Sequence, residues 1–148
     1  MIDSDYDTLK ERIHTLIQEW KERLWLRHWS IDITYERNGI SPESHTYGAV
    51  ASTHTLWEYM SATITIDMPR FSLYSPEEQE EILVHEFMHV MVGEMRDGMQ
   101  CEHGGERWNM KHEERVCTLL THAIIDLYGQ GEREKKEEKK EKEHENPI

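Results

Sequence analysis

Ser75-Pro76-Glu77-Glu78-Gln79-Glu80-Glu81-Ile82-Leu83-Val84-His85-Glu86-Phe87-Met88-His89-Val90 is the stretch from which the fold reads outward. Ser followed by Pro, with Glu three residues after the Ser, marks a helix start. The Ser hydroxyl caps a free backbone N–H, Pro occupies the first helical position where no partner is needed, and the Glu reaches back to the cap. In that helix His85 and His89 stand one turn apart, about 6 Å along the axis, with both rings on one face. Two imidazoles so placed suit two ligand positions of a tetrahedral zinc ion. Glu86, about 100° further round, is placed to take a proton from a water in an open position. With 10 His and many Glu in the chain, a shuffled sequence would contain such a pentapeptide about one time in ten. The weight therefore falls on placement. Leu83, Phe87, Val90 and Met91 fall on one side of the wheel as a packing face, and the two His and Glu86 on another.

Working back from this helix, residues 47–56 and 60–68 are rich in β-formers, and Ala62, Ile64 and Ile66 alternate with Thr63, Thr65 and Asp67. Pro69 ends the second of these strands. Before them, Ile31, Ile33 and Tyr35 alternate with Asp32, Thr34 and Glu36 up to the Asn38-Gly39 turn. Earlier still, Leu9, Ile13, Leu16, Ile17, Trp20 and Leu24 recur at helical spacing, an amphipathic helix suited to covering a small sheet. Forward of the histidines, Gly93 is placed as a helix stop, with a loop over residues 94–105. Residues 106–128 then form a second helix, with Val116, Leu119, Leu120, Ala123, Ile124 and Leu127 as its apolar stripe. The expected class is α+β: a helix, a three-stranded mainly antiparallel sheet, a metal-binding helix and a helix carrying glutamates. Residues 1–128 form one domain. Residues 129–148 are a Glu/Lys-rich tail, seven Glu against six Lys and Arg, expected as a frayed helix or as disorder.

Composition narrows the partners. A formal charge of −13 argues against nucleic acid and anionic membrane surfaces, which would repel the chain. No apolar run reaches the roughly 18 residues of a membrane span, the N-terminus lacks the look of a secretory signal, and two cysteines are too few for a disulfide framework. A cytoplasmic location is the expectation.

A catalytic zinc generally takes three protein ligands and leaves one position for water. Cys101, His103, His112, Glu113 and Glu114 are the downstream candidates. The metzincin spacing is excluded, because Val92 and Met95 stand where Gly and a third His would be required. A carboxylate is the better fit. Glu113 lies three residues before Val116 and seven before Leu120, on the side expected to be buried, which makes it the chosen ligand. Glu114, about 100° further round, is expected to touch a ligand from outside or to face solvent.

His85-Glu86-x-x-His89 followed by Glu113-x-x-Val116-x-x-Leu119-Leu120 resembles the gluzincin metallopeptidases, above all their small single-domain forms, the minigluzincins and the ImmA/IrrE-like and phage-encoded putative enzymes. The resemblance implies a zincin-like fold over residues 7–128 and a zinc-dependent peptidase with His85, His89 and Glu113 on the metal and Glu86 as general base. Two departures stand out: Val116 replaces a usual Ala, and Cys117 stands where some relatives carry an Asp hydrogen-bonded to a ligand His, so that contact must come from elsewhere. His103, His112 or Tyr47 are candidates to stabilise the oxyanion. A substrate peptide would lie extended along Tyr47-Gly48-Ala49-Val50-Ala51-Ser52. Two other classes of function fit the same residues: a non-catalytic zinc-binding regulator with a closed site, and an acidic interaction module that mimics nucleic acid.

Overall fold

A computed structural model describes residues 3–44, 46, 48–102 and 110–145, without the side chains of residues 3–4, 94, 96–102, 110–111 and 130–145. Helix α1 (Asp3–Arg23) leads into strand β1 (Ser30–Glu36), and strands β2 (Ala51–Leu56) and β3 (Ser61–Asp67) follow. A single turn α2 (Met68–Phe71) then precedes the two long helices α3 (Pro76–Glu102) and α4 (Met110–Glu145). The class is α+β, with four helices and a three-stranded mixed sheet among the described residues.

The sheet order is β1-β3-β2. β2 and β3 form an antiparallel pair across the short 3-10 turn Trp57–Tyr59, where Met60 takes a left-handed conformation. β1 pairs with β3 in parallel, with Ser30 opposite Ser61 and Ile33 opposite Ile64. The expected mainly antiparallel sheet is thus corrected to one pair of each kind. Alternation within a strand fixes which side chains face inward but not the direction of a neighbour. The long connection from β1 to β2 leaves the central place to β3. Gly39 (φ +83) sits in that connection with its Cα against the Asp67 carboxylate. Asp67, buried at the end of β3, accepts from the Ile40 N–H and the Arg70 N–H, holding the loop after β1 and capping α2.

Ala62, Ile64 and Ile66 of β3 point to one face and meet Ile13, Ile17 and Trp20 of α1 and Leu83, Val84, Phe87 and Met88 of α3 in a single core. α3 is the central element. Its start is the capping box read from sequence: the Ser75 N–H donates to Glu78 Oε2 at 2.8 Å, and the Glu78 N–H to Ser75 Oγ at 3.3 Å. Arg12 donates to Gln79 and to the Pro76 carbonyl, and Trp20 Nε1 to Glu80, tying α1 to the first turns of α3. The packing face of α3 is wider than expected and rotated: Val84 and Met88 join it, while Met91 is exposed. A helix covered by a sheet and two other helices buries a broad arc rather than a stripe.

α3 continues through Gly93 to Glu102, in place of the expected loop beginning at residue 94. Gly93 is not a stop but a crossing point. A Cβ there would stand 2.7 Å from Thr55 Oγ1, so the missing side chain is what lets the helix lie directly on β2. α4 likewise runs through Gly129 to Glu145, over most of the stretch expected as a frayed helix or as disorder; Glu and Lys at four-residue spacing suit a helix. Among the described residues no helix is long and apolar enough to cross a membrane.

The Gly93 contact is directly testable. Gly93→Ala should destabilise the protein by about 1–3 kcal/mol, the usual cost of overpacking, seen as a lower midpoint in thermal melts. Thr55→Ala in the same chain should recover part of that loss, and additive effects of the two changes would show that they do not meet.

Candidate metal centre

α3 and α4 pack side by side, and the polar faces left over from core packing meet between them. His85 and His89 bring their Nε2 atoms to 3.2 Å of each other. Glu114 closes the triangle: one carboxylate oxygen is 3.2 Å from His85 Nε2 and the other 3.4 Å from His89 Nε2. Ligand atoms around a tetrahedral ion with zinc–imidazole bond lengths stand about 3.3 Å apart, the edge of such a tetrahedron. The two imidazole nitrogens stand at about that edge, while Glu114 meets them with different carboxylate oxygens; taking one ligand atom from each residue, all three lie within 4.8 Å of one another. His85, His89 and Glu114 form the group of metal-ligating side chains found among the described residues.

Glu113, chosen from the sequence as the carboxylate ligand, occupies a different place. Its buried carboxylate lies 2.9 Å from His89 Nδ1. Nδ1 of His89 is thus taken up by Glu113, and its Nε2 faces His85 and Glu114. In this geometry Glu113 stands behind the His89 imidazole and Glu114 at the converging nitrogens. Cys117 Sγ is 3.5 Å from the same Nδ1. With Cys rather than Asp at position 117, the carboxylate beside the His89 ring comes from Glu113, one helical turn earlier.

Glu86 is buried beside the histidines, with its carboxylate held by the hydroxyl of Thr53 on β2 at 2.7 Å. Burial pushes its carboxyl above the ordinary carboxylate range, opposed by the Thr53 hydrogen bond and by His89 and His85. Thr53 escaped the sequence reading. Its one signal was position, on the inward face of β2 with Ala51 and Thr55, where a polar residue must find a partner.

No protein-family model, curated protein or solved structure matches the chain. The surroundings of the cluster are nevertheless well defined. A cleft of about 230 Å³ is lined by Ala51, Ser52 and Thr53 on one side and by His85, Glu86, His89, Glu113 and Glu114 on the other. It adjoins a larger cavity of about 410 Å³ that shares Ala51, His85 and Glu86 and is otherwise lined by residues such as Val50, Tyr74, Ile82 and Thr121. His112, a candidate ligand or oxyanion donor, is exposed on α4 and is not a member of the cluster. Tyr47 and His103 lie outside the described residues, as does the side chain of Cys101.

Zinc titration in competition with a chelator separates the two glutamates. Glu113→Ala should weaken zinc binding about 10- to 100-fold, the usual effect of removing a group that orients a ligand. Glu114→Ala should weaken it further, because a donor atom is lost. The reverse ranking would return the ligand role to Glu113.

Proposed function

We propose that this chain is a zinc-dependent peptidase of the gluzincin kind, with His85, His89 and Glu114 holding the metal and Glu86 as general base. Support comes from one convergence: two imidazole nitrogens and a carboxylate oxygen within 4.8 Å of one another, with a second, buried carboxylate beside them, all opening into a cleft. The order of elements, helix, three strands, metal helix and glutamate helix, is the one the gluzincin resemblance implies.

Zinc at such a site supplies a Lewis acid and lowers the pKa of a coordinated water toward about 7. The remaining steps belong to the chain. Glu86 takes the proton of the attacking water and returns it to the leaving amine, a role suited to a carboxylate whose affinity for protons is raised by burial. Thr53 keeps that carboxylate in one orientation, and Glu113 does the same for the His89 ring. β2 is an edge strand with Ala51, Ser52 and Thr53 lining the cleft, so an extended peptide can pair with its free side while a side chain enters the cavity beside Ile82 and Tyr74. Strand β2 spans Ala51–Leu56 and overlaps the residues 47–52 read from sequence at Ala51 and Ser52.

Zinc analysis of protein purified without added metal, followed by digestion of an unstructured protein such as casein, tests this reading. The wild type should carry zinc and cleave. Glu86→Gln should keep its zinc and lose at least about 100-fold in rate, the lower end of a general base's contribution. Zinc retention without cleavage by the wild type would favour the non-catalytic regulator, and absence of zinc the acidic interaction module.

A further inference from the structure

α4 packs on the body through Glu113, Cys117 and Thr121, which are buried, and it leaves a second apolar strip about 100° around the helix. That strip is Leu119, Leu120, Ala123 and Leu127, with Leu119 60% and Leu127 67% exposed, and it is continued at its start by Val116, half-buried against the core. It points away from the larger cavity beside the cleft, whose α4 lining is Thr118, Thr121 and His122. Residues 116, 120, 123 and 127 follow the four-three-four spacing of a coiled-coil seam. Isolated surface leucines are ordinary, but a continuous seam on one face of a long helix calls for a cover.

We infer that the cover is a second copy of this chain, its α4 lying antiparallel against the first. The strip is self-complementary about a two-fold axis between Leu120 and Ala123. Leu120 of each copy then meets Ala123 of the other, and Val116 meets Leu127. The charges beside the seam agree with this direction. Arg115 and Asp126 lie on the same flank at opposite ends, both exposed, so an antiparallel pair sets each Arg115 beside the other copy's Asp126. A parallel pair would turn each Arg115 toward the opposite flank of the other copy, away from Asp126. The apolar seam supplies the attraction that a chain of formal charge −13 needs to self-associate, and the two ion pairs fix its direction.

Sedimentation equilibrium of the full chain over a concentration series tests this arrangement. The wild type should reach twice the chain mass at micromolar concentrations. Leu127→Glu should remain at the single-chain mass with an unchanged circular dichroism spectrum, since Leu127 is already exposed. Arg115→Asp should weaken association about tenfold, as expected for two exposed ion pairs lost and reversed, and adding Asp126→Arg to it should restore the wild-type value. A wild type that stays monomeric, a dimer indifferent to Leu127→Glu, or a double charge reversal that fails to restore association would each overturn the assignment.

Discussion

The contact between α3 and the edge strand β2 sets the geometry of everything near the histidines. At one end of the crossing, Thr53 donates to Glu86 at 2.7 Å; at the other, Gly93 admits Thr55 where any side chain would collide. Between these points Phe87, Met88 and Val90 are buried, so the helix can neither slide nor roll without opening the core. His85 and His89 are consequently held facing α4. A ligand pair on a helix is only as well oriented as the packing of that helix's other faces, and here those faces are sealed.

Electrostatics points the same way. Glu86, Glu113 and Glu114 bring three carboxyl groups to two imidazoles, and two of the three are buried. Burying acids without compensating charge costs several kcal/mol each, at about the order expected for an ion removed from water. Hydrogen bonds from Thr53 and His89 offset part of this. A dication held at the converging donors, as proposed, would offset far more, because each acid would then interact with a net positive centre.

Local signals in the chain were strong wherever they depended on a single element. The Ser75/Glu78 box, the His85–His89 pair and the alternation of Ile64 and Ile66 all follow from backbone geometry within one helix or strand. What required a second element was less visible. The parallel pairing of β1 with β3 is set by topology, and the role of Gly93 depends on a strand about 40 residues away in the chain. The two glutamates show the limit most clearly. A helical wheel built on the apolar residues of α4 puts Val116 and Leu120 inside, and Val116 does pack on the core with Cys117, Ile124 and Ile125, but Leu120 is exposed and the buried positions include the polar Glu113 and Thr121. The packed face is mixed because α4 meets both the core and the histidine face of α3.

α4 reaches the rest of the molecule largely along α3, and several of its contacts there are the polar ones of the site: Glu113 with His89, Glu114 with both imidazoles, and His122 with Glu81. Any ligand held jointly by His85, His89 and Glu114 is bound to both helices at once. It favours the docked arrangement over an undocked one by a free energy that grows with the logarithm of its concentration over its dissociation constant. The seating of α4 is thereby linked to the composition of the surrounding solution, and helix docking and ligand occupancy become two readouts of one equilibrium.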